Sequence, residues 1–341
     1  MSQAPENKSQ SEEKEAAELK SVENDDEIVE DDDCGSTIVK ADKSFPPEQI
    51  LKITTLNLVS INSAWKKGLK QYIESTKPDI FCVQETKLHQ ESKPSADAFK
   101  LQGYKAYFNF AESKKGYSGT GIYTKIKPIS VKKSEGINDK DGRCITMEFS
   151  QFYILNTYVV NLGENQVNYD KKINHFNPEI EKYIQELSKV KPVIWTGDLN
   201  VAHNPIDIYT TEGMSKIAGY TDAERKWFDD FMKNNDYVDV FRELYPKKQQ
   251  FSFFSFRGNM RAKRQGWRID YFMMPRSMIK DKMIVDCIIE NADLSDHEPV
   301  TLILDKSMVM TDKDVPVDKT EVNIIGKKTS ILNFFAAAAK K

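Results

Sequence analysis

Within nine residues, the stretch WTGDLNVAH (195–203) turns an apolar run into an acid, an amide and an imidazole: Asp198, Asn200 and His203. The habit recurs along the chain. An apolar run over 51–57 ends at Asn57, and DIFCV (79–83) runs into Glu85. TYVVN carries Tyr158 and Asn161, and RIDYF sets Asp270 beside Arg268. LSDHEP places Asp296 and His297 just before another apolar run. Each case has an ordinary reading, since Gly, Asp and Asn are common turn residues. Taken together they form a coherent chemical set. Carboxylate and amide oxygens are hard ligands suited to Mg²⁺, which takes one or two protein carboxylates and keeps several waters. A histidine oriented by a carboxylate can polarise a phosphate or handle a proton near neutral pH. A metal, an aimed water and donors on phosphoryl oxygens are the means by which a phosphoester is hydrolysed.

Strands must deliver these groups, and the periodicity supplies them. LKITTLN (51–57), DIFCV (79–83) and PVIWT (192–196) read as buried strands. CITMEF (144–149) and FYILNTYVV (152–160) are separated by two residues and predict an antiparallel hairpin. Further strands are expected at SFFSF (252–256), RIDYFMM (268–274), IVDCIIE (284–290) and VTLILD (300–305). Helices are expected around Leu69, Tyr72 and Ile73 and around Ile180, Tyr183, Ile184 and Leu187. A third follows the capping box Thr221/Glu224 and buries Trp227, Phe228, Phe231 and Met232. Hairpins mixed with crossovers favour an α/β protein with mixed sheets over a doubly wound parallel one.

Composition bounds the remainder. Of the 341 residues, 39% are hydrophobic, enough for a sizeable core. No apolar run approaches the ~20 residues that span a bilayer, and no leader segment is expected at the acidic N-terminus. Cys34, Cys82, Cys144 and Cys287 lack CxxC spacing, which suggests a reducing compartment, no zinc site and small buried side chains. Residues 1–46 carry a net charge of −9, which leaves +6 for the rest. That stretch, with the run DDEIVEDDD, reads as a disordered acidic tail. The body at 47–306 reads as one catalytic domain, 307–326 as a linker and 327–341 as a separate short tail. Trp65, Trp195 and Trp227 read as core, His89 and His175 as solvent-facing, His203 as structural and Asp207 as a loop brace.

QETK (84–87), GYSGTG (116–121), TYVVN (157–161), GDLNVAH (197–203), AGYTDAER (218–225), GWRIDYF (266–272) and LSDHEP (294–299) follow one another in a recognisable order. The chain in this respect resembles the exonuclease III type apurinic/apyrimidinic endonucleases, over residues 50–305. The resemblance implies a four-layer α/β/β/α sandwich of two packed mixed β-sheets flanked by helices, with the site in a groove at one end. It implies Mg²⁺-dependent cleavage of double-stranded DNA on the 5′ side of an abasic site, with Mn²⁺ as a substitute ion. The products would be a 3′-hydroxyl and a 5′-deoxyribose phosphate, with 3′-end trimming besides. By the same resemblance Glu85 is the principal metal ligand, Asn57 stands beside it and Asp296 is a further ligand. Asp198 prepares the attacking water, Asn200 lies near metal and phosphate, and His297, oriented by Asp270, contacts the phosphate. Tyr158 donates to the phosphate and Asn161 touches it nearby. Phe253, Trp267 and Ile269 match the pocket for the flipped-out sugar. Tyr117, Arg143, Arg257 and the run RAKRQGWR with Arg261, Lys263 and Arg268 would grip DNA phosphates.

The chain departs from the family pattern at its first strand, where LNLVSIN (56–62) keeps Asn57 but has Val59, Ser60 and Asn62 in place of the usual Asp or Asn, Gly and Arg. Glu164 stands where animal members place an inserting arginine, and Arg257 where they place a methionine. These changes predict an altered DNA grip on an active enzyme. At the C-terminus, Ile331, Phe334 and Phe335 have the spacing of a peptide that binds the sliding clamp (PCNA), with Lys328 in place of the usual Gln. A monomeric nuclear repair enzyme without membrane attachment is the resulting expectation. The alternatives are a sister phosphoesterase acting on RNA, inositol phosphates or lipid head groups, and a non-catalytic DNA- or clamp-binding scaffold.

Overall fold

The computed structural model describes residues 45–89 and 99–318. The acidic run and the clamp-type residues Ile331, Phe334 and Phe335 lie outside the described residues. Among the described residues, twelve strands form two six-stranded sheets. The first contains β1 (Ile50–Asn57), β2 (Ile80–Gln84), β3 (Lys105–Asn109), β4 (Thr120–Thr124), β11 (Ile284–Ile289) and β12 (Val300–Asp305), in the order β11-β12-β1-β2-β4-β3. The second contains β5 (Ser130–Lys133), β6 (Cys144–Glu148), β7 (Tyr153–Tyr158), β8 (Val193–Asp198), β9 (Tyr237–Asp239) and β10 (Asp270–Pro275), in the order β5-β6-β7-β8-β10-β9. Only β1/β2 and β7/β8 are parallel, and the expected β6/β7 hairpin is antiparallel.

Alternation along each strand builds the layers, because successive side chains point to opposite faces. Leu51, Ile53, Ile80, Cys82 and Ile122 of one sheet pack on Ile145, Met147, Ile154, Ile194 and Phe272 of the other. The opposite parity of the second sheet, Leu155, Trp195, Tyr271 and Met273, receives two helices. One is α3 (Asn177–Ser188), which buries Ile180, Ile184 and Leu187. The other is α4 (Asp222–Asn235), started by the Thr221/Glu224 capping box and burying Phe228 and Phe231. The outer face of the first sheet, with Phe81, Val83 and Tyr123, is covered by α1 (Ile61–Lys66) and α2 (Leu69–Thr76). Removing such large side chains from water stabilises the fold by about 1.5–3 kcal/mol each. The result is the four-layer α/β/β/α sandwich.

Three expectations are corrected. SFFSF forms no strand: Phe253 makes single bridges to Trp267 and to His297. Its backbone is shared between two loops, with Ser252 and Phe253 N–H both donating to the Trp267 carbonyl and Phe254 N–H to that of Asp296. Residues 307–318 are packed on the domain, not a free linker. Val315 O and Val317 N bond to Lys127 N and Lys125 O, Asp314 accepts from Ser150 N, and Val317 is buried. Strands β3, β4, β5 and β9 were not foreseen. β5 is a lysine-bearing edge, and β9 has only three residues, too short for a periodic signal. No helix among the described residues is long and apolar enough to cross a membrane.

Candidate active site

The site is the polar end of the inter-sheet layer. Followed along the inward parity, Ile53 gives way to Thr55 and Asn57, and Ile80 and Cys82 to Gln84. Likewise Ile154 leads to Asn156 and Tyr158, Ile194 to Thr196 and Asp198, and Phe272 back to Asp270. The parallel strands β1, β2, β7 and β8 end here, and β10 and β12 start here because they run antiparallel to β8 and β1. One edge of the sandwich thus collects Asn57, Gln84, Tyr158, Asp198 and Asp270. Behind it, Gln84 Nε2 donates to Thr55 Oγ1 at 2.8 Å and to Asn156 Oδ1 at 2.6 Å, tying the two sheets together. Gly197 permits the close approach of β7 and β8, since a Cβ there would lie 2.1 Å from the Thr157 carbonyl oxygen.

At the surface of this layer His297 Nδ1 pairs with Asp270 Oδ2 at 2.9 Å. Ser252 Oγ donates to the same carboxylate oxygen at 2.7 Å, and Ser295 Oγ accepts from His297 N–H at 2.8 Å. With Nδ1 engaged, Nε2 faces outward, 4.0 Å from Asp198 Oδ2 and 4.0 Å from Asp296 Oδ1. Burial opposes charge on His297, but Asp270, and then Asp198 and Asp296, outweigh it and push its pKa up to about 10. Burial also pushes Asp198 up to about 7; Asp270 adds to the rise, while His297, Asn57 and the Asn200 N–H oppose it. Near neutrality the arrangement is therefore an imidazolium beside a carboxylate poised to take or release a proton.

Asn57 Nδ2 bridges Glu85 Oε1 at 3.1 Å and Asp198 Oδ2 at 2.9 Å, while its Oδ1 accepts from Val59 N–H at 2.9 Å. Asn200 N–H donates to Asp198 Oδ1 at 2.9 Å, and Asn161 Nδ2 donates to Asn200 Oδ1 at 2.7 Å. Val59, Glu85 and Asn200 all have left-handed backbones, at φ 55°, 48° and 51°. For the β-branched Val59 this is a strained geometry. Burial, then Glu85 and Asp198, raise the Tyr158 hydroxyl well above its ordinary pKa, so it remains a donor.

Asp198, Asp270 and His297 offer three ligand atoms within 4.8 Å of one another. Their cation is already present, however, as the His297 imidazolium. Glu85 and Asp296 fit a divalent ion better. Asp296 Oδ1 is buried without a hydrogen-bond partner. Burial raises the Asp296 carboxyl above its usual range and Glu85 adds to the rise, against the pull of His297. Glu85 Oε2 meets Lys87 Nζ at 3.5 Å, whereas Asp296 Oδ1 accepts no hydrogen bond; both are hard oxygens, the donor type that Mg²⁺ prefers.

A cleft of about 960 Å³ opens from this cluster. Its far wall is apolar, with Phe253, Trp267 and Ile269 joined by Tyr209 and Met214, two residues that carried no signal in the sequence. Phe253 also packs on the His297 ring at 4.8 Å, so the pocket adjoins the chemistry. Ser252 and Ser295, the bonds that orient Asp270 and His297, were likewise missed, because an isolated serine has no distinguishing pattern. Glu164 and Arg257 both line the cleft and are exposed, as is Lys263 outside it.

Two DNA-contact expectations are corrected. Arg268 is 0% exposed and pairs with Asp207 at 2.8 Å and with Asp239 at 2.5 Å. It braces the wall of the pocket from behind and has no surface to offer a phosphate. Arg143 is 2% exposed; its Nη2 donates to the Tyr117 hydroxyl at 2.7 Å, and its guanidinium lies 4.8 Å from the Tyr158 ring centre. It positions those two tyrosines. Arg261 is half-buried and paired with Glu298. His203 bonds to Asp229 at 2.6 Å on the outer helix and stays out of the cluster.

Residues 59–297 match the endonuclease/exonuclease/phosphatase family model. The chain is 36% identical over 262 residues to a DNA-(apurinic or apyrimidinic site) endonuclease of Dictyostelium discoideum, covering 76% of this chain and 72% of that one. It is 35% identical over 260 residues to an exodeoxyribonuclease of Bacillus subtilis, covering 74% and 99%. Among solved structures, an AP endonuclease from Leishmania major is similar at a TM-score of 0.70 and 29% identity, covering 76% of this chain and 89% of that one. With a family match over most of the described domain and the acid–imidazole cluster at its cleft, the chain belongs to the endonuclease/exonuclease/phosphatase family of hydrolases, in its exonuclease III type apurinic/apyrimidinic endonuclease branch.

Proposed function

We propose that this nuclease hydrolyses the DNA backbone on the 5′ side of an abasic site, with Mg²⁺, and also trims blocked 3′ ends. The observation that carries the reading is the junction of two features in one cleft: the Asp198–His297–Asp270 cluster and the apolar wall of Phe253, Trp267 and Ile269. A sugar that lacks its base is an apolar-faced group small enough for such a wall, whereas an intact nucleotide must bring its base along.

In this reading Asp198 accepts a proton from the attacking water as its oxygen adds to phosphorus. The bond from phosphorus to the 3′-oxygen breaks, and that oxygen takes a proton from solvent water, leaving a 3′-hydroxyl and a 5′-deoxyribose phosphate. His297, held by Asp270 through Nδ1, directs Nε2–H at a phosphoryl oxygen, and the protonated Tyr158 donates to another. Glu85 and Asp296 would hold Mg²⁺, with Asn57 fixing Glu85. When bound, the ion would neutralise charge on the phosphate and the departing oxygen. Asn200 and Asn161 keep Asp198 and the phosphate-facing amides aligned. A duplex with one abasic analogue, incubated with Mg²⁺ or with EDTA, tests the reading. Incision in Mg²⁺ alone is expected; equal cutting of an undamaged duplex, or none of either, would remove it.

The reading carries two further proposals. The full chain resides in the nucleus, which a fluorescent fusion would reveal. Ile331, Phe334 and Phe335 bind the sliding clamp, and a clamp pulldown should lose a Phe334→Ala/Phe335→Ala variant.

A further inference from the structure

Behind the catalytic loop lies a buried ion pair that the proposed mechanism does not use. Lys172 and Glu224 are each 1% exposed. Lys172 belongs to Asp170–Phe176, a stretch wound as a π-helix, in which Asn177 N–H reaches back to the Lys172 carbonyl. Such widened turns are uncommon and occur frequently at functional sites. Here the turn aims the lysine inward. Its ammonium donates to Glu224 Oε1 at 2.5 Å and to the main-chain oxygen of Asn200 at 2.7 Å. The other Glu224 oxygen, Oε2, accepts from Gly219 N–H at 2.8 Å, Thr221 N–H at 3.1 Å and Thr221 Oγ1 at 2.8 Å.

A helix cap explains only part of this. The capping box needs Glu224 to accept from Thr221 N–H and nothing more. The added bonds reach the two halves of the cleft. Asn200 is the left-handed residue whose N–H holds Asp198. Gly219, at φ +90°, backs onto the pocket tryptophan so closely that a Cβ would lie 3.0 Å from the Trp267 ring. Burying an ion pair is often no more stabilising than packing apolar groups of the same volume. Its presence between these two loops therefore calls for a role in position. We infer that the Lys172–Glu224 pair sets the loop of Asn200 and the pocket wall at Gly219 in register, so that chemistry and damage recognition share one geometry. The inference rests on the proposed reading of Asp198 and of the apolar wall. Both residues are positioning residues, since neither touches the cleft.

The test compares the unmodified chain with Lys172→Met/Glu224→Gln, which removes both charges together and leaves no unpaired ion. Turnover on an abasic duplex should fall about 100-fold, the size of effect that a small misplacement of reacting groups produces. In EDTA, the preference for abasic over undamaged duplex should narrow, while affinity for undamaged duplex stays unchanged. Lys172→Arg, which keeps a charged donor for the Asn200 carbonyl, should recover turnover to within about tenfold of the unmodified chain. A folded double variant with unchanged turnover and unchanged preference overturns the inference. A second measurement needs no variant: amide exchange at Asn200 and Gly219 should be as slow as in the core of α4, and exchange at loop rates overturns the inference equally. Failure of the underlying activity shows differently, as an unmodified chain that cuts neither duplex.

Discussion

His297 is charged near neutrality because its carboxylate neighbours outweigh its burial, whereas burial brings Asp198 to the edge of protonation. Asp198 must be ionised to take a proton, so turnover should rise as pH passes about 7. His297 must be protonated, so turnover should fall as pH passes about 10. A bell-shaped profile of kcat/KM would report both limbs. Asp270→Asn removes the main support of the imidazolium and should move the alkaline limb to lower pH. The same groups affect stability with one sign. The folded pKa of His297 lies above its ordinary 6.5, so its contribution is complete below that value and is lost as pH rises toward about 10. Asp198, also raised, binds its proton more tightly when folded, so stability declines from pH 3.8 toward about 7 as well. Thermal melts across pH should show both declines, with the upper one reduced in Asp270→Asn. Asp198→Asn should lower turnover by roughly 1,000-fold without loss of fold, the size of a lost general base. Val59 stores strain beside these groups. Val59→Asn, which tolerates a left-handed backbone, should raise stability in urea by about 1 kcal/mol; no change would show that the turn is unstrained.

At the scale of elements, the loop between β9 and β10 is held by charge that never reaches solvent. Arg268 joins Asp207 and Asp239, and Arg242 adds a second cation to Asp207. The guanidinium of Arg268 holds Asp207 down to about 2, after burial has opposed its charge. Arg268→Met should therefore destabilise the chain by about 3–5 kcal/mol, the cost of leaving the buried Asp239 carboxylate without its cation. Urea denaturation would measure it. Abasic preference should weaken together with stability, since Trp267 and Ile269 flank Arg268 on the same segment. An unchanged melting curve would mean that the Asp239 carboxylate finds another partner.

For the whole molecule, the basic balance of residues 47–341 predicts binding that weakens with salt through release of counterions. Lys263→Ala should lower the slope of log affinity against log salt by about one. Arg268→Met should leave that slope unchanged, because a buried cation neutralises no phosphate. Equal slopes for both variants would show that the lysine stands clear of the duplex. The two arginines illustrate what a linear chain can reveal. RAKRQGWR is a basic run as text, yet the turn over 261–264 and the approach to β10 leave Lys263 exposed and Arg268 buried. Period-two alternation, helix caps and the order of the motifs are local properties, so eight of the twelve strands, the helices α2, α3 and α4, and the family were legible from the residues themselves. The cluster's members were also legible, because each is an unexpected polar residue at the end of an apolar strand. Their convergence was not, since Asn57 and Asp198 are 141 residues apart and meet only when the two sheets stack. The same holds for Tyr209, Met214, Ser252, Lys172 and Glu224. Their roles come from burial and from partners distant in sequence, and those exist only once the chain has folded.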